Sequence, residues 1–193
     1  MRPFDKTHIP IPEVQVELPS CFQNLDIEIG CGVGFHPIDY AKRYPDRLLV
    51  AIEKTKEKFD KFVGRLERHP QIKNVVPIHT NAVWWIAHQI KPNTVDRYFI
   101  LYPNPYPKDP QKRFFQMPFM SWVVETLKSG GTITLATNEK YYFDESLENA
   151  QKIFGLQVIE KRTVDLNEKP RTHFEKKYLE RGETCYNLIL QKA

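Results

Sequence analysis

The sequence is poor in cysteine and has no long apolar segment. Its 193 residues include Cys21, Cys31 and Cys185 but no C-x-x-C pair, so neither a zinc site nor a disulfide framework is indicated. No apolar run approaches the roughly 20 residues of a membrane span, and the first residues lack the apolar core of a secretory signal. We therefore expect a soluble, cytoplasmic protein with reduced thiols that binds neither membranes nor metals.

The excess of positive charge is also small. The chain has 28 Lys and Arg against 24 Asp and Glu, and the resulting net charge of +4 permits a polyanionic partner without requiring one. Glycine is scarce, with 8 residues against 15 prolines, which predicts several rigid loops. The length fits one ordinary domain, which we place at residues 21–193, behind an extended, proline-stiffened arm over residues 1–20.

Strand and helix patterns alternate from Leu25 onward. Strands are predicted at 25–30, 48–53, 75–79, 95–101, 132–136, 156–164 and 185–190, and helices at 35–44, 54–69, 83–90, 111–128 and 145–154. This alternation predicts an α/β fold with a Rossmann-like, doubly wound, seven-stranded sheet that is mostly parallel. Pro77 places the third strand near an edge. The last two strands are separated only by a polar stretch at 165–184, so we expect one antiparallel strand near the C-terminus.

Ligands of such sheets bind at the carboxyl ends of the strands, so the residues that follow each strand are the candidates. Glu28 and the glycines Gly30, Gly32 and Gly34 end the first strand with G-x-G-x-G spacing. The dinucleotide fingerprint is G-x-G-x-x-G, so the spacing argues against an NAD-dependent oxidoreductase. It matches the E-x-G-x-G-x-G loop of S-adenosylmethionine (SAM) methyltransferases. A glycine-rich turn without a ligand is the alternative.

The next two strand ends carry polar side chains. Glu53 ends the second strand and is placed to accept the hydroxyls of a ribose, although an exposed acid at the start of a charged helix is the alternative. Asn81 and Ala82 follow the third strand, where a side chain commonly meets an adenine edge. A helix N-cap is the competing role for Asn81.

A proline-rich loop, Tyr102–Lys108, follows the fourth strand. Such stiffness suits methyl transfer, which depends mostly on orienting a nucleophile in line with the methyl group. Lys108, Lys112 and Arg113 form a small cluster suited to phosphate, with a proline-rich turn and solvated lysines as the alternative.

Two further segments complete the candidate site. Asn138 follows the fifth strand, where it faces the same pocket or caps the next helix. Thr172, Phe174 and Glu175 lie in the polar stretch before the last strand, and their mixed character suits the reading of a base edge together with a phosphate. A solvated loop is the alternative there.

The order and spacing of four motifs resemble the bacterial tRNA (guanine-N7)-methyltransferase (TrmB) family, from about Asp26 to Leu190. The motifs are Glu28–Gly34, Pro103–Lys108, Ala136–Asn138 and Thr172–Glu175. The resemblance implies a SAM-dependent methyltransferase domain that acts on tRNA or another RNA. We expect a monomer or a homodimer. It implies cofactor contacts at Glu28, Gly30, Gly32, Gly34, Glu53, Asn81, Ala82 and Asn104. It implies substrate contacts at Lys108, Asn138, Thr172, Phe174 and Glu175, with Asn104 and Lys108 as the catalytic residues.

Departures from the family pattern keep other functions open. Asn81, Asn104 and Asn138 stand where the family has Asp, and Tyr106 stands where it has Trp. Guanine N7 carries a lone pair and no proton, so its attack needs no general base. However, Asn offers one acceptor oxygen and cannot clamp guanine as a carboxylate does. The alternatives are a methyltransferase of this fold with a different acceptor (another nucleobase, a protein or a small molecule) and a catalytically impaired relative that binds SAM or RNA.

Overall fold

Strands and helices alternate from Asn24 onward, as the sequence predicts for all but the last connection. The computed structural model describes residues 2–193, so Met1, the first residue of the predicted arm, lies outside the described residues. Within that range the strands are β1 (Asn24–Ile29), β2 (Arg47–Glu53), β3 (Val75–His79), β4 (Val95–Leu101), β5 (Leu127–Thr137), β6 (Gln157–Thr163) and β7 (Tyr186–Gln191). The helices are α1 (Phe35–Arg43), α2 (Lys56–Leu66), α3 (Ala82–Gln89), α4 (Phe119–Thr126), α5 (Lys140–Lys152) and α6 (His173–Glu180).

The strands form one twisted sheet in the order β3-β2-β1-β4-β5-β7-β6. Strands β1 to β5 pair in parallel, and β7 is antiparallel to both β5 and β6. The predicted doubly wound sheet with one reversed strand is therefore confirmed, and Pro77 does lie in the edge strand β3. The chain leaves β1 toward β2 and later returns to β4 on the other side of β1. The topological switch point thus lies between the carboxyl ends of β1 and β4.

The centre of the sheet is buried on both faces, which explains its near-continuous apolar strands. In β2, Val50 and Ile52 belong to the cluster that includes Trp85 of α3 and Phe119 of α4. Ala51 packs on the opposite face with Phe62 of α2. Phe62 is fully buried, a burial that stabilises the fold by about 2–3 kcal/mol.

Two predicted elements are wrong in extent. The helix predicted at 111–128 is divided into 3₁₀ turns at Pro110–Lys112 and Phe114–Gln116 followed by α4, and β5 already begins at Leu127. Prolines at 110 and 118 cannot donate the N–H bonds that a continuous helix requires. Helix α5 likewise begins at Lys140, five residues before the predicted start at 145.

The polar stretch at 165–184, predicted without a helix, contains α6. Thr172 caps this helix, and its Oγ1 accepts a hydrogen bond from the backbone N–H of Glu175 at 2.9 Å. Thr172 and Glu175 are three residues apart, the spacing of a helix-capping box, so the sequence did contain the signal for this helix. Thr172, Phe174 and Glu175 therefore lie at the start of a helix rather than in a solvated loop.

The N-terminal arm packs along α3 and α4. Phe4 contacts Phe119 edge-on with ring centroids 5.8 Å apart, and the carbonyl of Ile9 accepts a hydrogen bond from His88 Nε2 at 3.0 Å. A 3₁₀ turn at Lys6–His8 interrupts its extended course. The division into an arm and a domain stays a prediction. Among residues 2–193, none of the helices is long and apolar enough to cross a membrane.

Candidate functional site

The glycine-rich turn after β1 is tied to the end of β2 by backbone hydrogen bonds. The N–H groups of Gly30 and Cys31 donate to the carbonyl of Ile52 at 2.8 and 3.0 Å. Gly30, Gly32 and Gly34 all have left-handed φ angles, between +60° and +84°, a conformation that glycine adopts without steric cost. A Cβ added at Gly30 or Gly32 would meet nothing within 4 Å. The turn therefore faces open space at these two positions, as a ligand cradle requires.

Glu53 braces this turn from the end of β2. The Gly32 N–H donates to its Oε2 at 2.9 Å, and the Thr55 N–H donates to its Oε1 at 2.7 Å. The side chain is buried, so it is not the exposed acid that the alternative interpretation requires. Each oxygen keeps a further lone pair, so the carboxylate can still accept a ligand hydroxyl beside the glycines.

Glu28 forms a buried pair that the sequence did not reveal. Its Oε2 lies 2.7 Å from Nδ1 of His36, and both side chains are buried. His36 follows Gly34 by two residues on the first turn of α1, a position that the glycine motif alone does not single out. The ring packs against Phe99 of β4, with centroids 4.9 Å apart, so it joins the two strands at the switch point.

A cavity of about 60 Å³ lies between the glycine-rich turn and the start of α6. It brings together five predicted site residues, namely Glu28, Gly30, Gly32, Thr172 and Phe174. Phe35 of α1 stacks on His173 of α6 with an interplanar angle of 13°, so the start of α6 covers the turn. Pockets for small organic ligands are usually about 300–1,000 Å³. The covering segment therefore leaves room for only part of such a ligand.

Cys31 contributes an unreactive thiol to this cavity. Burial, together with the carboxylates of Glu28 and Glu53, raises the pKa of the Cys31 thiol well above its ordinary value. The thiol is therefore protonated at neutral pH, and Cys31 is not a nucleophile in this site.

Asn81 and Ala82 do not line this cavity. Asn81 caps α3, where its Oδ1 accepts from the Val83 N–H at 3.0 Å, and Ala82 begins that helix. The cap that competed with the adenine contact is therefore present. The side-chain amide nitrogen of Asn81 remains a donor, so the adenine contact stays a prediction.

The loop after β4 is held in a strained conformation. Asn104 is exposed, and its Oδ1 accepts from the Tyr106 N–H at 3.1 Å. Tyr106 has a φ angle of +42°, which is uncommon for a residue with a side chain. Lys108 is exposed at the end of the same loop. Asn104 and Lys108 thus face solvent at the switch point, as reactive groups of an open site would.

Arg113 holds this loop in place through hydrogen bonds, and the prediction that it belongs to a phosphate-binding cluster is wrong. The side chain is buried at 6% exposure. Its guanidinium donates to the carbonyls of Pro105 at 2.9 Å and Tyr106 at 3.2 Å, and to Glu145 Oε2 at 2.6 Å. A guanidinium that is buried and bonded in this way positions the loop and is not presented to a ligand phosphate.

Glu175 and Asn138 are both engaged by protein partners. Glu175 is fully buried and accepts hydrogen bonds from the Tyr102 hydroxyl at 2.7 Å and from the Arg171 guanidinium at 2.6 Å. Asn138 donates to Glu183 Oε2 at 2.8 Å and does not cap α5. The structure therefore keeps Glu175 away from solvent, and its predicted substrate contact and that of Asn138 stay predictions.

Comparisons with known proteins agree with this architecture. A family model described as "Putative methyltransferase" matches residues 23–188. A tRNA (guanine-N(7)-)-methyltransferase of Aquifex aeolicus is 31% identical over 181 residues, which cover 93% of this chain and 60% of that protein. The enzyme of the same name from Nitrosomonas eutropha is 27% identical, with 96% and 85% covered. The chain thus spans less than two thirds of the Aquifex relative.

Solved methyltransferase structures share the fold. The 16S rRNA methyltransferase KamB superimposes with a TM-score of 0.68 at 14% identity, covering 90% of each chain. TrmN from Thermus thermophilus superimposes with a TM-score of 0.66 at 13% identity, covering 89% of this chain and 45% of TrmN. At these identities the likeness concerns the fold alone.

Proposed function

The chain belongs to the methyltransferase family whose model matches residues 23–188, and from that premise we propose that it transfers a methyl group from SAM to N7 of guanine in tRNA. The observation that carries the proposal is the glycine-rich turn, open at Gly30 and Gly32 and braced by Glu53, at the switch point of the sheet. The relatives named tRNA (guanine-N(7)-)-methyltransferase support the acceptor. A role in tRNA modification also supports a cytoplasmic location.

The side chains and backbone at this turn fit SAM. The open cradle at Gly30 and Gly32 suits a close approach of the cofactor to the backbone, and Glu53 would accept hydroxyls of its ribose. Asn81 and Ala82 would meet the adenine, and the nearby carboxylate of Glu28 suits a cationic cofactor. When bound, SAM supplies an electrophilic methyl group on a sulfonium. The start of α6 would have to shift, because the cavity of about 60 Å³ is too small for the whole cofactor.

The role of the chain in this reaction is to orient the acceptor. Guanine N7 attacks with its own lone pair, so no side chain has to remove a proton. Beside N7, guanine presents the acceptor O6. The side-chain amide nitrogen of Asn104 and the ammonium of Lys108 are donors that would hold O6 while N7 stays free. Orientation of this kind is the main contribution of an enzyme to a reaction between two bound groups.

A second candidate is methyl transfer to a different acceptor. The asparagines favour it, because Asn104 and Asn138 cannot clamp the ring N–H and amino group of guanine as two carboxylates would. Asn138 is moreover matched to its surroundings, since it donates to Glu183. An aspartate at 138 would place a second carboxylate against Glu183, so restoring the family residue there alone would introduce repulsion.

The test measures cofactor and acceptor separately. SAM binding is followed by calorimetry with the purified chain, and methyl transfer is followed on tRNA from a strain that lacks its own N7 enzyme, with nucleoside analysis to identify the product. Glu53→Ala is expected to weaken SAM binding at least tenfold. Glu57→Ala removes an exposed acid four residues further on and is expected to bind SAM as the wild type does.

The outcomes separate the candidates. N7-methylguanosine in the tRNA supports the proposal. Transfer to another nucleobase or to a protein in a cell extract supports the second candidate instead. A chain that binds no SAM, or binds it without transferring a methyl group to any acceptor, would overturn both.

A further inference from the structure

A second and larger cavity, of about 420 Å³, opens beside the glycine-rich turn. We name it the basic groove, and it lies between α1, the C-terminal part of α2 and residues 169–171. Its basic lining residues are Lys42, Arg65, Arg68, His69, Lys169 and Arg171. Asp39 is the one acidic residue of the lining within the described chain. The groove thus has a strongly positive lining in a protein whose net charge is only +4.

Two of these cations are available to a ligand. Lys42 and Arg68 are exposed and have no acidic partner among residues 2–193. Arg65 is used by the protein, since it donates to the Val33 carbonyl at 3.0 Å and lies over the Phe35 ring at 4.3 Å. Arg171 is neutralised by Glu175. Unpaired positive charge is therefore concentrated at the C-terminal ends of α1 and α2.

Asp39 forms ion pairs with two further cations. Lys169 Nζ lies 2.7 Å from Asp39 Oδ1, and Arg43 Nη2 lies 2.8 Å from Asp39 Oδ2. These pairs are partly exposed, so they are weak and readily exchanged. Lys169 lines the groove, so an anion that enters it can replace Asp39 as the partner of Lys169.

The basic groove is continuous with the candidate methyl-transfer site. Phe35 lines both cavities, and this residue is 47% exposed. From Phe35 to Lys42 the groove follows α1 for seven residues, roughly 10 Å. That length exceeds the size of one phosphate group and fits successive phosphates along a nucleic-acid strand.

We propose that the basic groove binds the phosphodiester backbone of the RNA whose base is methylated at the glycine-rich turn. The proposal rests on the proposed function, because it concerns how the acceptor of that site is held. Lys42 and Arg68 contact phosphates and fix the register of the RNA, as basic side chains do in nucleic-acid complexes. The groove meets the proposed methyl-transfer site at Phe35, and this continuity favours the RNA acceptor of that site over an acidic peptide.

Charge reversal in the groove tests this inference. The affinity of Lys42→Glu/Arg68→Glu for an unmodified tRNA transcript is measured by fluorescence anisotropy over a range of salt concentrations. We expect binding to weaken at least tenfold and the slope of log affinity against log salt to fall by about 1 to 2, because two phosphate contacts are lost. Lys91→Glu/Lys161→Glu is the matched control, since it changes the net charge equally at two exposed positions away from the groove.

A variant that is expected to bind tRNA more tightly shows whether misfolding explains the weaker binding. Asp39→Asn removes the acid that holds Lys169 and Arg43, so tRNA binding should tighten a few-fold. A variant that merely damaged the fold would not bind more tightly. SAM binding is expected to stay unchanged in all three variants, because none of the altered residues belongs to the proposed cofactor site.

The results distinguish the groove from the reaction. Wild-type affinity in Lys42→Glu/Arg68→Glu, or an equal loss in the control, would overturn the groove and leave the proposed function standing. Groove-dependent tRNA binding without methyl transfer would support the groove and remove the proposed function. Groove-dependent binding of polyglutamate in place of tRNA would assign the groove to a protein partner and overturn the inference, as would a wild-type chain that binds no RNA.

Discussion

Gly34 combines two constraints that no other residue type satisfies. Its φ angle is +84°, and a Cβ placed there would lie 2.0 Å from Cδ2 of Phe62. Phe62 is fully buried among neighbours on α1 and β2, so its ring cannot move aside cheaply. The third glycine of the motif is therefore required by helix packing, whereas Gly30 and Gly32 face the ligand space.

This difference gives a paired prediction. Gly34→Ala should lower the free energy of unfolding by about 2–4 kcal/mol, through overpacking and left-handed strain. Gly64→Ala, on α2, would meet nothing within 4 Å and should raise stability by up to about 1 kcal/mol, because alanine favours the helix. Urea denaturation checks both. Equal midpoints for Gly34→Ala and the wild type would contradict the packing argument.

Single residues were the hardest part of the site to predict. Asn81 was assigned both a cap and a cofactor contact, and only the cap is visible in its bond to Val83. His36 was missed, because a histidine two residues after a glycine motif has no characteristic spacing. Glu175 was predicted from its motif, yet its burial depends on Tyr102 and Arg171, which a local pattern does not bring together.

At the scale of elements, the loop from Tyr102 to Arg113 depends on one buried guanidinium. Arg113→Met would leave the carbonyls of Pro105 and Tyr106 without their donor and would leave Glu145 unpaired. We expect a cost of about 3–5 kcal/mol, the range for breaking a buried ion pair. Methyl transfer should also fall at least tenfold in kcat, because the loop carries Asn104 and Lys108.

The neighbouring residue provides the control for this loop. Lys112 is exposed and pairs with Asp109, so Lys112→Met should unfold at the same urea concentration as the wild type and keep its kcat. Denaturation and steady-state kinetics on both variants separate positioning from net charge. Full activity in Arg113→Met would show that the loop holds its shape without Arg113.

At the scale of the whole molecule, the sheet could be predicted from the sequence, whereas the segment that covers the glycine-rich turn could not. Alternating patterns identify βα units, and the right-handed crossover rule then restricts their order. The reversed β7 followed from the missing crossover before it. The start of α6, in contrast, lies over the glycine-rich turn through contacts such as Phe35 with His173. These contacts join residues 138 positions apart, which periodicity does not report.

A polar network ties this cover to the sheet. Glu175 accepts from Tyr102 at the end of β4 and from Arg171, and Arg171 Nη1 donates to Asn187 of β7 at 2.7 Å. Asn187 in turn donates to Glu160 of β6 at 2.7 Å. The buried carboxylate of Glu175 thus belongs to a network that links α6 with β4, β7 and β6, and its titration should be visible in global stability.

The network predicts how stability changes with acid. Burial alone would raise the pKa of Glu175, but the hydrogen bonds and charge of Arg171 outweigh it and hold the pKa below its ordinary value. A carboxyl whose pKa is lower in the folded state stabilises the fold above the unfolded value, about 4.3. That stability is lost as the pH falls through the folded value.

Glu175→Gln should be about 3 kcal/mol less stable than the wild type at pH 7 and should lose less stability on acidification. Urea unfolding from pH 7 to pH 3 tests this, with Glu180→Gln, exposed on the same helix, expected to follow the wild type. Parallel curves for Glu175→Gln and the wild type below pH 4.3 would show that another group controls the acid response.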